Sequence, residues 1–257
     1  MTGRSEVLPN SRSRWLVTAQ PRASATVRLF CFPCAGAGAS MYAGWHSALP
    51  AHVEVCAVQW PGREGRAMEP PISEIGLLAD ELCHVLMRHA DGPFAFFGHS
   101  VGALVAFEVV RALRHHGAAQ PIHFFAAGCP APHLMPTRPP IHALPASSLI
   151  EELRQMGGTP AEILKNAELM DLLLPLLRAD LALQERYRFR ADAPLDFPVC
   201  AMAGASDDIV SLAAINDWER QTTRTFSRYL FPGGHFFVRT ARDSVLRLIA
   251  RMLPTIG

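Results

Sequence analysis

Short apolar runs alternate with longer amphipathic segments along this chain, and the alternation predicts most of its secondary structure. The apolar runs are bounded by Pro, Gly or polar residues, which is typical of buried strands. They lie at Val27–Phe32, Val53–Val58, 94–97, 122–127, 199–203 and 225–231. Upstream of the first run, Trp15-Leu16-Val17 predicts a short edge strand.

Helices are predicted between the strands, where apolar residues recur three or four positions apart. The clearest one follows Ser73, which we expect to cap it. Its apolar face is formed by Ile75, Leu78, Ala79, Leu82 and Leu86. Further helices are predicted at 41–49, 103–114, 212–221 and 244–253. Because strands alternate with helices, we expect an α/β fold with a mostly parallel central sheet and helices on both faces.

The alternation stops between about residues 130 and 190. Six prolines between 128 and 145 exclude regular structure there, and helices are predicted at 147–156, 160–165 and 168–187. We interpret 130–190 as a helical lid over the carboxyl ends of the strands, where open α/β sheets bind ligands. A second helical layer without a binding role is the alternative. Residues 26–257 would then form one domain, after a loose leader over 1–25 that is rich in Arg, Ser and Pro.

Composition narrows the possible functions. The chain has 257 residues, 49% hydrophobic and 18% charged, as in ordinary soluble globular proteins. A net charge of +1 gives no long-range field, so neither nucleic acid nor a membrane is expected as a partner. Arg4, Arg12 and Arg14 are followed by no apolar run, which argues against a secretory signal and favours the cytoplasm. The oligomeric state stays open, with a monomer favoured.

Two of the six cysteines form a C-x-x-C motif, Cys31-Phe32-Pro33-Cys34. Such a motif occurs in redox pairs and in zinc sites. There is no second C-x-x-C to complete a zinc site, and Gly36-Ala37-Gly38 predicts a loop rather than the helix N-terminus that activates a redox thiol. We therefore expect neither a metal nor an organic cofactor, and treat Cys34 as a small spacer residue.

The strongest chemical signal is Gly98-His99-Ser100-Val101-Gly102, which matches G-x-S-x-G. The pattern is weak alone, but here a predicted strand precedes it and a predicted helix follows it, as in a nucleophile elbow. Such a sharp turn strains the serine backbone and needs small residues on either side. Ser100 is therefore the candidate nucleophile; an incidental turn that contains serine is the alternative.

A serine nucleophile needs a base and an acid, which follow it in the order acid, then His. Of the eleven histidines, only His235 follows the last predicted strand, in a loop with Gly233 and Gly234. For the acid, Asp207 and Asp208 compete in the loop after the strand at 199–203. We favour Asp207, and Asp208 could instead cap the next helix. The oxyanion hole is expected from the backbone N–H groups of Val101 and of Ala35, in the loop after the first core strand.

On these residues the chain resembles the type II thioesterases, stand-alone α/β-hydrolases that accompany polyketide synthases and nonribosomal peptide synthetases. The resemblance spans residues 30 to 237 and rests on Phe32-Pro33-Cys34-Ala35-Gly36, Tyr42, Trp45, Pro61-Gly62-Arg63-Glu64, Arg66, Gly98-His99-Ser100, Gly204 with Asp207, and Gly233-Gly234-His235-Phe236. The chain departs at Cys34, where the family commonly has His, at Val101, where it has Met or Leu, and at Trp60, where it has Tyr. Since Val101 is smaller than Met, the resemblance leaves the preferred acyl chain length open.

The resemblance implies an α/β-hydrolase fold with a helical lid. It implies hydrolysis of acyl thioesters on the phosphopantetheine arm of acyl or peptidyl carrier proteins, which removes aberrant or stalled acyl groups. No cofactor beyond the phosphopantetheine of the substrate is implied. Arg186, Arg188 and Arg190 would meet an acidic carrier domain or its phosphate; a solvated helix end is the alternative.

Three other functions are compatible with the same residues. A general serine esterase would cleave free small esters instead of carrier-bound thioesters. An acyltransferase or cyclase would use an alcohol or amine in place of water, although such domains are usually fused to a synthase and this chain runs from Met1 to Gly257 without a carrier domain. A non-catalytic binding protein would not need Ser100, Asp207 and His235 together.

Overall fold

Across residues 13–253 and 255, which the computed structural model describes, seven strands form one sheet. The strands are β1 (Leu16–Val17), β2 (Val27–Phe32), β3 (Val53–Val58), β4 (Phe94–His99), β5 (His123–Ala127), β6 (Val199–Gly204) and β7 (Phe226–Phe231). Their order across the sheet is β1-β3-β2-β4-β5-β6-β7. Strand β1 is antiparallel to β3, and the remaining neighbours pair in parallel. The predicted mostly parallel α/β sheet is confirmed.

Helices cover both faces of this sheet. They are α1 (Trp45–Ala48), α2 (Ile75–His89), α3 (Val101–His115), α4 (Ala146–Met156), α5 (Ala161–Leu164), α6 (Ala167–Glu185), α7 (Leu212–Asn216), α8 (Phe237–Thr240) and α9 (Arg242–Met252). Alternate side chains of β2 point to opposite faces, so Phe30 packs with α2 and α3 while Leu29 packs with α1 and α9. Every residue of β3, β4 and β6 is buried, as expected for strands covered on both sides.

Helices α4 to α6 lie between β5 and β6 in the chain and have an apolar core of their own. That core contains Leu149, Leu153, Leu164, Met170, Leu174, Leu177 and Leu181. Leu183, near the end of α6, belongs instead to the core beneath α2 and α3. Helix α6 therefore joins the helical insertion to the body of the fold.

Three local predictions differ from the structure. Ser73 does not cap α2, which begins at Ile75 after Glu74 without a side-chain cap. The helix predicted at 41–49 is a 3-10 turn over Ala39–Tyr42 followed by α1, because Gly44 between them has a left-handed φ of 74°. The helix predicted at 212–221 changes from α7 to a 3-10 helix over Asp217–Gln221.

Residues 13–25 are held against the sheet, although composition suggested a loose segment. Leu16 and Val17 pair with Val58 and Ala57 of β3. The Arg22 guanidinium donates hydrogen bonds to the carbonyl oxygens of Pro50, at 2.6 Å, and Val53, at 3.0 Å. Residues 1–12 of the expected leader lie outside the described residues.

Among the helices of the described residues, none combines the length and the apolar character that a membrane crossing requires.

Candidate active site

Ser100 lies at the junction of β4 and α3 in a strained backbone conformation. Its φ of 55° and ψ of −126° are unusual for a residue with a side chain. The Ser100 amide donates to the Ala127 carbonyl oxygen at 2.8 Å, which holds the turn against the neighbouring strand. This is the geometry of a nucleophile elbow, in which the hydroxyl stands clear of the sheet.

The two glycines of the motif are required by close backbone contacts. A Cβ atom on Gly98 would lie 2.4 Å from Ala103 Cα, and one on Gly102 would lie 2.3 Å from the Phe32 carbonyl oxygen. No side chain fits at such distances. The Gly102 contact also shows that the loop after β2 lies directly beside the start of α3.

The structure brings His235 between Ser100 and Asp207. His235 Nε2 lies 3.1 Å from Ser100 Oγ, and His235 Nδ1 lies 2.9 Å from Asp207 Oδ2. Asp207 follows β6 and His235 follows β7, and because β4, β6 and β7 are parallel, their carboxyl ends meet at one edge of the sheet. These distances suit proton transfer between Ser100 and His235, with Asp207 orienting the imidazole.

Asp207 is held in its orientation from two sides. Its Oδ1 atom accepts hydrogen bonds from the amides of Ile209, at 2.9 Å, and Val210, at 3.0 Å. Burial acts to raise the pKa of Asp207, but the hydrogen bond and charge of His235 and the two amides outweigh it and lower the pKa below its usual value. Asp207 therefore remains a carboxylate at neutral pH and can stabilise an imidazolium.

Asp208 does not cap the helix that follows. The N-cap of α7 is Ser211, whose Oγ accepts from the Ala214 amide at 3.2 Å. The Asp208 side chain points to solvent, since the residue is exposed. Of the two competing aspartates, only Asp207 contacts His235.

His99 was not singled out as a separate site residue in the sequence, yet it supports the His235 loop. It is fully buried at the end of β4, and its Nε2 atom lies 2.9 Å from the His235 carbonyl oxygen. Burial, together with the nearby His235, lowers the pKa of His99 to about 3, so the ring is neutral and donates Nε2–H to that carbonyl. The sequence feature that could have pointed to His99 is its position directly before Ser100 in the G-x-S-x-G motif.

The amides of Ala35 and Val101 are the two oxyanion donors predicted from the sequence. Within the described residues, neither is hydrogen bonded to a protein acceptor outside its own element. Val101 is the first residue of α3, where an amide has no partner within the helix. Ala35 lies in the loop that Gly102 contacts through Phe32 and Pro33. Val101 adjoins Ser100 in the chain, and the loop that carries Ala35 begins beside the start of α3.

The helical insertion touches the loops that carry these groups. A Cβ atom on Gly158, between α4 and α5, would lie 2.3 Å from Phe236 Cζ, so the insertion packs on the residue next to His235. A Cβ atom on Gly36 would lie 2.6 Å from Leu177 Cδ2 of α6. The insertion thus contacts both the His235 loop and the Ala35 loop.

Asp180, a fully buried carboxylate on α6, was not among the residues predicted from the sequence. It pairs with Arg63 of the Pro-Gly-Arg-Glu loop at 2.7 Å and accepts a hydrogen bond from the Gly36 amide at 2.8 Å. The available signal was a lone carboxylate on the apolar arc of α6, three residues after Leu177.

The C-x-x-C cysteines are poorly suited to thiolate chemistry. Cys31 and Cys34 are both buried and unbridged. Burial raises the pKa of Cys31 well above its usual value and that of Cys34 to about 12. In the part of the chain that the structure describes, no cluster of three His, Cys, Asp or Glu side chains suits a metal ion.

Comparison with known proteins decides the family. A model of the thioesterase domain matches residues 27–253, which is most of the chain. The chain belongs to the thioesterase family. It is a thioester hydrolase of the α/β-hydrolase type.

Several relatives of this thioesterase are named for biosynthetic pathways. The gramicidin S biosynthesis protein GrsT of Aneurinibacillus migulanus is 36% identical over 244 residues, 95% of each chain. The solved structure of RedJ, a thioesterase from the prodiginine pathway of Streptomyces coelicolor, is 40% identical with a TM-score of 0.85, covering 92% of this chain and 91% of RedJ. The type II thioesterase BorB from the borrelidin cluster is 34% identical with a TM-score of 0.85, covering 93% and 97%. The resemblance to type II thioesterases is confirmed.

Proposed function

We propose that this thioesterase removes acyl groups from the phosphopantetheine arm of carrier proteins in polyketide or nonribosomal peptide synthesis, through a Ser100-His235-Asp207 triad. The observation that carries the proposal is the continuous contact from Ser100 Oγ to His235 at 3.1 Å and on to Asp207 at 2.9 Å, in a thioesterase family member. Its relatives GrsT and BorB serve gramicidin S and borrelidin biosynthesis, which supports a carrier-bound substrate.

Acylation begins with Ser100. As Oγ attacks the thioester carbonyl carbon, His235 Nε2 takes the hydroxyl proton, and the imidazolium is stabilised by the ionised Asp207. Asp207 also holds Nδ1–H, which leaves Nε2 as the acceptor that faces Ser100. Collapse of the tetrahedral intermediate breaks the C–S bond, and His235 returns the proton to the departing phosphopantetheine thiolate.

Deacylation repeats these steps with water. His235 takes a proton from a water molecule whose oxygen attacks the acyl-Ser100 carbonyl, and then returns the proton to Ser100 Oγ as the carboxylic acid leaves. In both halves of the reaction, the Ala35 and Val101 amides donate to the oxyanion. Removal of one such donor costs about 3 kcal/mol of transition-state stabilisation.

The helical insertion over about 130–190 is proposed to act as a lid on the acyl group. Its contacts with Phe236 and Gly36 support this role, since both residues adjoin the triad or the oxyanion loop. An apolar cover excludes water until the acyl-enzyme has formed and shelters the acyl chain. Because the insertion packs on the loops at Phe236 and Gly36, we propose that residues 26–257 form one domain.

The proposed reaction needs no resident cofactor, since the substrate brings its own phosphopantetheine. Acyl or peptidyl carrier proteins are the proposed partners. Arg186 and Arg188 lie at the end of α6, where Arg188 donates to the Tyr187 carbonyl oxygen at 2.7 Å. Arg186 lies 3.7 Å from Glu74 and is half exposed. A carrier surface rich in carboxylates is a compatible partner for these two guanidinium groups.

The experiment compares hydrolysis of the same acyl group from a carrier protein and from a free ester. Rates are measured with a propionyl group on a holo carrier protein and with the same group on a free ester, and the products are identified by mass spectrometry. We expect higher kcat/KM on the carrier and free propionic acid as the product. Preference for the free ester would favour a general esterase, and an ester or amide product would favour a transferase or cyclase. No turnover, with no labelling of Ser100 by a fluorophosphonate, would favour a non-catalytic binding protein.

A further inference from the structure

The most deeply buried ion pair of the described residues lies between the helical insertion and the loop at 60–66. Arg63 Nη2 lies 2.7 Å from Asp180 Oδ1, and Arg63 Nη1 lies 2.9 Å from Asp180 Oδ2. The two side chains are 2% and 0% exposed. The pair is bidentate, which fixes the orientation of both groups.

Both members of this pair also bind the loop that carries Ala35. Asp180 Oδ2 accepts from the Gly36 amide at 2.8 Å, and Arg63 Nη1 donates to the Ala37 carbonyl oxygen at 2.9 Å. The peptide group between Ala35 and Gly36 is thus held by Asp180 on one side, while Ala37 is held by Arg63 on the other. The Ala35 amide, the proposed oxyanion donor, lies one peptide away from these contacts.

Two further side chains form hydrogen bonds just after this loop. Gln59 Oε1 accepts from the Ala39 amide at 2.7 Å, and Glu64 Oε1 accepts from Ser40 Oγ at 2.6 Å. Glu64 holds a left-handed φ of 47°, unusual for a residue with a side chain. Residues 59–66 and α6 therefore hold the loop after β2 from outside, while its own Gly36 supplies a left-handed φ of 72°.

A buried ion pair of this kind is a poor source of stability. The desolvation of the two charges offsets most of their attraction, and well-packed apolar residues of similar volume are often equally stable in such positions. The distinct property of the Arg63–Asp180 pair is its directed hydrogen bonds to Gly36 and Ala37. Those bonds act on the loop that supplies an oxyanion donor.

We propose that Arg63 and Asp180 are positioning residues that place the Ala35 amide for the oxyanion, and that α6 of the insertion thereby controls the chemical step. The inference rests on the proposed function of Ser100 and Ala35. Asp180 and Leu177 of α6 both lie against Gly36. Without the Arg63–Asp180 pair, Gly36 and Ala37 lose these hydrogen-bond partners and the donor is misplaced.

The test replaces the pair with apolar residues, Arg63→Met with Asp180→Leu. We expect a folded protein whose melting temperature is lowered, because the Gly36 amide and the Ala37 carbonyl lose their partners. We also expect kcat to fall by about 100-fold with little change in KM, because a misplaced donor acts on the transition state and not on substrate binding. Binding of a trifluoromethyl ketone, which forms a tetrahedral oxyanion on Ser100, should weaken by the same factor as kcat/KM.

The matched control is Arg224→Met with Asp196→Leu. This pair has an equally short contact of 2.7 Å but is exposed, with side-chain exposures of 60% and 75%. Asp196 precedes β6 and Arg224 precedes β7. We expect wild-type kinetics from this variant. If the buried double variant does not fold, Asp180→Asn replaces it. The Asn side chain keeps one acceptor oxygen and sets an NH2 donor either against Arg63 Nη2 or against the Gly36 amide and Arg63 Nη1. It also removes the charge that pairs with Arg63, so kcat should fall at least about tenfold with KM retained.

The inference is overturned if a folded variant of either kind keeps wild-type kcat and ketone affinity, or if only KM changes. Failure of the wild type to release acyl groups from a carrier would instead count against the proposed function. Ketone affinity would still test the positioning role in that case, since any serine hydrolase reaction on this scaffold needs the oxyanion donors.

Discussion

His235 Nδ1 lies 2.9 Å from Asp207 Oδ2, and the two side chains are only 4% and 1% exposed. The carboxylate also accepts from the Ile209 and Val210 amides, so it has a single orientation from which to hold the imidazole. Asp208, the next residue, is exposed and contacts neither. Substitution of Asp207 should therefore affect hydrolysis, whereas substitution of the adjacent Asp208 should not.

Asp207→Asn should reduce kcat by about 10⁴-fold, because an amide at this position favours the wrong His235 tautomer and leaves the imidazolium without a counter-charge. KM should change little, since Asp207 does not touch the acyl group in the proposed mechanism. The measurement is steady-state hydrolysis of a carrier-bound acyl group. Asp208→Asn is the matched control and should retain wild-type kcat; the reverse result would assign the acid to Asp208.

The glycines of the nucleophile elbow predict a stability effect. Gly102→Ala should lower the free energy of unfolding by about 1–3 kcal/mol or more, because the new Cβ would lie 2.3 Å from the Phe32 carbonyl oxygen and force the two backbones apart. Urea denaturation measures the change.

Gly76→Ala provides the opposite case. Gly76 lies on the exposed side of α2, and a Cβ there meets nothing within 4 Å. Alanine should raise the free energy of unfolding by about 0.5–1 kcal/mol, since it restricts the unfolded chain and favours the helix. If both substitutions changed the free energy of unfolding equally, the short distance between Gly102 and the Phe32 carbonyl would not limit the residue at position 102.

Asp192 predicts a pH-dependent contribution to stability. Partial burial acts to raise the pKa of Asp192, but Arg114, the Ala193 amide and Arg111 outweigh it and lower the pKa to about 2. A carboxyl group with a lowered folded-state pKa stabilises the protein above its unfolded pKa of about 3.9, and this contribution is lost as pH falls toward 2.

Asp192→Asn should therefore lower the free energy of unfolding by about 1 kcal/mol at pH 7, a modest value because the side chain is 26% exposed and partly screened by water. The difference from the wild type should narrow between pH 4 and pH 2. Urea denaturation over this range measures it, with the exposed Asp171→Asn as the control. A difference that grows on acidification would contradict the ion-pair assignment.

The elements that could be predicted from sequence are those whose signal is local. Buried parallel strands are apolar on both faces, so Val53–Val58 was predicted with its exact limits. The sharp turn at Ser100 and the loop at His235 could be predicted because Gly-x-Ser-x-Gly and Gly-Gly-His are local patterns. Ser73 was a false cap because Ser is favoured in many turns, and nothing local determines where α2 starts.

Contacts between distant segments could not be predicted in the same way. Arg63 and Asp180 are 117 positions apart in the chain. They form a pair only because α6 packs against the loop at 60–66, and no local pattern predicts that packing. His99 had a visible motif position, but its hydrogen bond to the His235 carbonyl spans 136 positions. Which of Asp207 and Asp208 contacts His235 depends on the backbone conformation of the loop after β6, which the sequence does not reveal.

The central claim, that Ser100 releases acyl groups from a carrier, is tested most directly by single-turnover hydrolysis. A carrier protein loaded with a radiolabelled propionyl group is mixed with the wild type, with Ser100→Ala and with Ser244→Ala, which removes a hydroxyl from α9. The account predicts rapid release of propionic acid by the wild type and by Ser244→Ala, and release near the uncatalysed rate by Ser100→Ala. Label that stays on the carrier with the wild type, or equal release by Ser100→Ala, would contradict it.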